Sequence, residues 1–276
     1  KNLNQKSSIY YLMENQPWEI MLLKIRAEMF FPNSFGFVHV PIRYWDLRYL
    51  FNFELESLDF FSTRIPKNIL VGDKITQKYL KSYKNIKPKL INVEALRFLE
   101  AKKNNKLKPY KFSTTKKHKI LIFTDYREIF TKKQIEIIFN SKLFKENKHD
   151  FKVTIKEHPA KRGYVKGIID SNVTVSELDA SDLIEQNDYI FAPYSSSVVV
   201  DLYYSNKKFF LFDDKSTLNL NLFRDFNSIN TFSSSKEIDE KFEFGSIKKN
   251  IERNEDLFNI SKNLKLWMRI LKNRVK

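Results

Sequence analysis

Phe151-Lys152-Val153-Thr154-Ile155-Lys156-Glu157-His158-Pro159 and, further along, Asp188-Tyr189-Ile190-Phe191-Ala192-Pro193-Tyr194-Ser195-Ser196-Ser197 decide the fold. Each begins as a β-branched and aromatic run, the composition of a strand. Each ends in residues with turn chemistry. In open α/β sheets ligands sit beyond such strand ends. A His-Pro at one end, and a Ser cluster trailed by Asp201 at another, have the make-up of a phosphate and ribose cradle.

The pattern repeats outward from these stretches. Lys119–Thr124 reads as a buried strand. Thr131-Lys132-Lys133-Gln134 reads as a capping box, opening a helix whose apolar face is Ile135, Ile137, Ile138, Leu143 and Phe144. Val173–Val175 is a short strand, followed by a helix with Asp179 or Ser181 as its N-cap. A helix over Ser197–Tyr204 leads to the strand Lys208–Phe212. Strands alternating with helices imply βαβ units, a parallel sheet and right-handed crossovers.

The first half has the same grammar, less clearly. Trp18–Phe30 has helical spacing, with Pro17 at the first helical position. Phe35–Val40 and Asn68–Val71 read as strands, Lys74–Tyr83 as a helix, and Ile91–Val93 as a third strand. Residues 100–118, rich in Lys, Asn, Ser and Thr, read as a linker. Ile247–Lys276 reads as a polar helix or helix pair with an apolar stripe that includes Leu264, Trp267 and Ile270. The expected plan is an α/β protein with two Rossmann-like parallel-sheet domains facing a cleft. Residues 1–110 form the first domain, residues 111–245 the second, and residues 246–276 a C-terminal helical segment packing back on the first.

At 276 residues the chain can bury a sizeable core, and a hydrophobic content of 42% marks it as globular. It has no cysteine, which excludes disulfides, thiolate metal sites and a Cys nucleophile. No apolar run is long enough to span a bilayer, and no secretory signal stands at the start. These features fit a cytoplasmic protein. The chain opens on Lys1 rather than Met, which reads as a fragment or an unobserved start. The formal charge of +16 first suggests nucleic acid. Lys dominates the excess, however, alongside abundant Asn, Ile and Phe, as in an AT-rich genome, and no nucleic-acid-binding motif accompanies it. A solvated basic surface, or peripheral contact with the anionic lipid of an inner membrane, accounts for the charge better than nucleic acid does.

Individual residues add chemistry. An imidazole at His158 can donate to a phosphate oxygen, and Lys156 beside it makes an anion site reasonable. Pro159 fixes the turn; a lone His-Pro more often does only that. Ser195, Ser196 and Ser197 offer hydroxyls and amides to phosphate, where an ordinary N-cap needs one Ser. Asp201, one turn into the helix, can accept from ribose hydroxyls. Asp125, at a strand end, can be nucleophile, base or loop closure. Glu14, ahead of Pro17-Trp18, places a carboxyl group in a loop. His39 ends a strand, and Arg43, Trp45 and Asp46 follow in an aromatic and charged loop suited to sugar binding.

Together, Glu14-Asn15-Gln16-Pro17-Trp18-Glu19, Gly36-Phe37-Val38-His39, Arg43–Tyr49, Val93–Leu99, His158-Pro159 and Ser195–Asp201 resemble bacterial surface-carbohydrate biosynthesis proteins. That family is similar to the GT-B transferases of Kdo and other nonulosonic acids, which share the His-Pro and Ser-Ser motifs. The likeness to retaining β-Kdo transferases implies a CMP-sugar donor, Asp125 as nucleophile and Glu14 as acid/base. His158, Lys156, Pro159, Asp201 and the Ser cluster would then hold CMP, and His39, Arg43, Trp45 and Asp46 the acceptor, a glycan or lipid-linked glycan of O-antigen or capsule. No cofactor is implied beyond the donor, and no metal: a single donor phosphate does not require one, and the chain has no Asp-x-Asp motif. Two departures stand out. Residues 1–110 are short for a complete Rossmann half, and Glu128 is a rival carboxylate to Asp125. An inverting CMP-nonulosonate transferase and a non-catalytic GT-B module that binds glycan or partner enzymes are the alternatives.

Overall fold

The structure is a computed structural model that describes residues 7–28, 33–43, 45–49, 65–83, 86–101, 117–168, 173–205, 207–226, 229–242 and 256–272. The chain divides into two compact units, Lys1–Leu99 with Glu255–Lys276, and Glu100–Asn254. Among the described residues no helix is long and apolar enough to cross a membrane.

The first unit is built on a parallel sheet of β1 (Ser8–Leu12), β2 (Asn33–Val38), β3 (Asn68–Val71) and β4 (Lys89–Asn92), ordered as they occur in the chain. Helix α1 (Pro17–Glu28) starts on Pro17, where a missing N–H costs nothing. The carboxylate of Glu19 reaches back to accept the amides of Glu14 and Asn15, and Asn15 turns the chain at φ 56°. Helix α2 (Lys74–Lys81) is N-capped by Asp73, which accepts the Thr76 amide at 2.6 Å. Leu23 of α1 and Leu80 of α2 pack with Tyr11, Val38, Ile69 and Val71 on one face of the sheet. Phe35, Phe37, Leu70 and Val93 form the other face.

Trp267 and Ile270 of the last helix, which spans Lys265–Lys272, cover that second face. Buried Glu94 fixes it in place. Its carboxylate accepts the Leu266 and Trp267 amides at 2.9 and 3.1 Å, and its carbonyl accepts the Trp267 indole N–H. Upstream, Asn259 donates to the Gly72 carbonyl and accepts from the Ala95 amide. A Cβ at Gly72 would stand 2.8 Å from the Ala95 backbone, so only glycine allows this approach. The C-terminal segment thus packs back on the first unit, as expected. It is not one long helix: residues 256–264 are non-helical, Phe258 bridges to Asp73, and Leu264 takes φ 48°. The earlier part of the expected helix, through residue 255, lies outside the described residues, as do Phe30 and residues 102–116 of the expected linker.

The second unit is a six-stranded parallel sheet in the order β10-β9-β8-β5-β6-β7. Its strands are β5 (His118–Phe123), β6 (Phe151–Lys156), β7 (Val173–Val175), β8 (Tyr189–Pro193), β9 (Lys208–Phe212) and β10 (Asn230–Phe232). The chain steps outward from β5 to β7, returns to the other side of β5 as β8, and steps outward again. The winding therefore reverses between β5 and β8. Helices α3 (Glu128–Asn140), α4 (Lys142–Glu146), α5 (Ala180–Gln186) and α6 (Val198–Tyr204) connect the strands, and α7 (Ser235–Lys241) follows the last of them; in chain order Lys265–Lys272 is α8. Ile120, Ile122, Ile155, Phe191, Phe210 and Phe232 are almost fully buried. Each contributes about 1.5–3 kcal/mol by leaving water.

The capping box expected at Thr131 is not one. Helix α3 begins three residues earlier, so Thr131 and Gln134 lie buried inside it. Both serve the preceding loop. The Thr131 hydroxyl accepts the Asp125 amide and donates to the Asp125 carbonyl, and the Gln134 amide donates to the Phe123 carbonyl. The N-cap, Arg127, makes no side-chain capping bond.

Candidate functional site

The carboxyl ends of β5, β6 and β8 carry the unit-two residues singled out from sequence. Thr124 and Asp125 follow β5, Glu157 and His158 follow β6, and Tyr194 to Ser197 follow β8. Their neighbourhood follows from the strand order alone, because β5 lies between β8 and β6. A doubly wound sheet opens a crevice where its winding reverses, and Asp125 and Ser195 stand at the two strand ends that flank that point.

The two are in contact: the Ser195 hydroxyl donates to Oδ2 of Asp125. Arg127 grips the same carboxylate with its fork, Nε to Oδ1 at 2.9 Å and Nη2 to Oδ2 at 3.0 Å, and its own amide donates to Oδ1 at 2.9 Å. Nη2 also lies 3.5 Å from the Ser195 oxygen. Burial pushes the Asp125 pKa up, but the Arg127 guanidinium, the Ser195 hydroxyl and the Arg127 amide outweigh it and hold the carboxyl below its ordinary value. Asp125 is therefore an ionised, buried carboxylate with both oxygens engaged. Glu128, the rival, is half-exposed at the start of α3 and pairs with Lys132.

His158 is fixed from three sides. Its amide donates to the Thr124 hydroxyl at 2.9 Å, joining the ends of β5 and β6. Its carbonyl accepts from Lys161, closing a turn with Pro159 at the second position. Its Nδ1 accepts the Ala160 amide at 3.2 Å, which in the neutral ring puts the proton on Nε2. Tyr126 lies against the ring, with centroids 5.9 Å apart. Glu157 anchors the loop beyond by accepting the amides of Gly163 and Val165. Lys156 points elsewhere: its ammonium donates to the Glu177 carbonyl.

Ser196 accepts the Val198 amide at 3.3 Å, Ser197 is the N-cap residue of α6, and half-buried Asp201 lies in its first turn. Tyr194 is buried and bonds the loop after β9 through Thr217 and the Leu218 carbonyl. That loop begins with Asp213 and Asp214, which pair with Lys215 and Lys133. Arg127, Thr124, Glu157 and these two acids were not singled out from sequence. Arg127 lies two residues from Asp125, and that proximity was the available signal.

The remaining candidates belong to the first unit. Glu14, 39% exposed, accepts from Nε2 of His39 at 3.2 Å. Burial lowers the His39 pKa, Glu14 opposes that, and Arg97 and Arg48 reinforce it; Nδ1 is buried without a partner among the described residues. Asp46 is taken up by Arg48, with both carboxylate oxygens in the fork. Trp45 is exposed and Arg43 half-buried. Tyr44 lies outside the described residues. Among the described residues no three His, Asp or Glu side chains gather as a metal site.

No family model and no curated protein matches the sequence. Solved structures do. The UDP-GlcNAc 2-epimerase of Neisseria meningitidis, bound to UDP-GlcNAc, aligns with a TM-score of 0.56 at 14% identity, over 95% of this chain and 84% of that one. The wall teichoic acid polymerase TagF aligns at 0.35 and 14% identity, over 67% of this chain and 50% of its own. Arabidopsis thaliana UGT89C1 aligns at 0.46 and 10% identity, over 93% and 65%. The likeness to the epimerase shows the fold, GT-B-like, with two parallel-sheet α/β units.

Proposed function

We propose that the chain is a nucleotide-sugar-dependent glycosyltransferase whose donor nucleotide binds at the carboxyl edge of the second sheet. One observation carries this reading. Asp125, Arg127 and Ser195 are joined at the strand ends that flank the winding reversal, and His158 is anchored beside them through Thr124. The fold shared with a protein solved with UDP-GlcNAc supports it.

In its finer form the donor is a CMP-activated Kdo-like or other nonulosonic acid, and the acceptor is a surface glycan of O-antigen or capsule. The His-Pro and Ser-Ser resemblance supports that choice. The bond between the sugar's anomeric carbon and the phosphate oxygen breaks, its electron pair leaves with CMP, and positive charge develops on the sugar. His158, through Nε2–H, compensates the leaving phosphate, with Ser196, Ser197 and Asp201 at the ribose side. In the retaining course Asp125 traps the sugar as an ester. The acceptor hydroxyl then displaces it and gives its proton to a general base.

The engagement of both Asp125 oxygens favours a second course without the covalent step. An ionised carboxylate held by an arginine fork and a hydroxyl is a weak nucleophile and a good orienting group. The acceptor would then attack directly, with inversion, its proton passing to a carboxylate acting only as base. The basic surface, at a formal charge of +16, supports peripheral contact with anionic lipid.

Thermal unfolding with CMP, UDP, GDP and RNA tests the nucleotide claim. CMP alone should raise the midpoint, and no shift with any nucleotide contradicts the reading. Transfer assays with CMP-Kdo then separate the two courses. Loss of activity in Asp125→Ala is required by the covalent course, and retained activity removes it.

A further inference from the structure

Arg127 serves the proposed reaction only by holding Asp125, yet its geometry is that of a ligand-binding group. Its side chain is 26% exposed, against 2% for Asp125. A guanidinium has five N–H donors in a planar fork. Nε and one N–H of Nη2 are taken by the Asp125 carboxylate, and Nη2 lies 3.5 Å from Ser195. Nη1 has no acceptor among the described residues. One face of the plane is covered by Phe130, whose ring centroid lies 3.6 Å from the guanidinium carbon, and Tyr126 stands 5.3 Å away. Edge and face are therefore both fixed, and the group keeps little rotational freedom to lose on binding.

Tyr126 also lies against His158. Its ring therefore neighbours both the Arg127 guanidinium, on the loop after β5, and the His158 imidazole, on the loop after β6. A guanidinium and an imidazole on neighbouring strand-end loops are the kinds of donor that suit a tetrahedral anion with several oxygens. Asp125 balances the charge of Arg127 from the buried side.

We propose that Arg127 binds the phosphate of the nucleotide through Nη1, and that Asp125 is the positioning residue that aims it. The proposal rests on the reading that the second unit binds a nucleotide, and it assigns the phosphate to a side chain that reading leaves out.

The test compares nucleotide with nucleoside on the intact chain, using CMP against cytidine and UMP against uridine, by calorimetric titration. Wild type should prefer the monophosphate. Arg127→Gln should lose most of that preference, about tenfold or more in the ratio of dissociation constants, with nucleoside binding unchanged. Arg127→Lys, which keeps charge but not the fork, should lose less. Asp125→Asn should also lower the preference, and the double variant should be no worse than Arg127→Gln, because the two residues act as one unit. A purely structural role for Arg127 would instead weaken nucleotide and nucleoside together and lower the thermal midpoint. Full preference retained in Arg127→Gln overturns the proposal and leaves the nucleotide reading standing. A wild type that binds neither nucleotide overturns both.

Discussion

Asp73 shows how a single buried carboxylate ties local structure to solution conditions. It caps α2 through the Thr76 amide, and the Thr76 hydroxyl in turn accepts the Ile42 amide from the loop after β2. Burial raises its pKa to about 6, against the bonds from Thr76 and Ile75 that pull it down. The folded state then holds this proton more tightly than the unfolded chain, whose aspartate titrates near 4. The stability from Asp73 is full below about pH 4 and is lost as the pH rises through about 6. The cost at neutral pH is on the order of 1–3 kcal/mol. Asn at this position caps equally well and does not ionise. Asp73→Asn should therefore equal or exceed wild type at pH 7, and its lead over wild type should shrink between pH 6 and 4. Denaturant unfolding across that range checks it, and a constant difference between the two proteins would refute the assignment.

At the scale of elements, the docking of α8 depends on a carboxylate outside the helix. Glu94 satisfies two amides of the first turn of α8, groups that no intrahelical carbonyl can reach. Its carbonyl binds the Trp267 indole, whose ring meets Phe37 edge-on at 5.0 Å. Glu94→Ala should cost about 1–3 kcal/mol, the penalty for stranding such donors, while Glu94→Gln retains an acceptor and should cost less. The measurement is chemical unfolding followed by Trp fluorescence. An Ala variant as stable as wild type would show that α8 docks through its apolar face alone.

The elements also explain what was legible in the sequence. Strands β5, β8 and β9 could be read because they are nearly continuous apolar runs, as a sheet covered on both faces requires, and β6 because Phe151, Val153 and Ile155 alternate with polar residues; β10, only Asn230–Phe232, carries too little pattern to be read. Strand β1 was missed because Tyr10 and Leu12 are exposed and only Tyr11 and the flanking Met13 are buried, so the run carries no clear signal. The Thr131–Gln134 signature was genuine in composition and misleading in position. A hydroxyl and an amide three residues apart can serve the loop before a helix as well as cap it, and which they do depends on where the helix starts. His158, Asp125 and Ser195 were legible as strand-end residues. Arg127 was not, because its worth lies in a fork closed over a neighbouring carboxylate, which spacing does not reveal.

For the whole molecule, the central claim is that the second unit is the donor-nucleotide unit, organised around the reversal between β5 and β8. Four strand-end segments should respond together if that is right: residues 124–127 after β5, 157–161 after β6, 194–198 after β8 and 213–217 after β9. They are coupled by bonds already in place, Thr124 to His158, Ser195 to Asp125, Tyr194 to Thr217 and Lys133 to Asp214. Amide hydrogen exchange with and without saturating CMP measures this most directly. Slowed exchange in all four segments, largest in the first three, is the predicted result. Unchanged exchange in all four, or protection confined to the first unit, would contradict it.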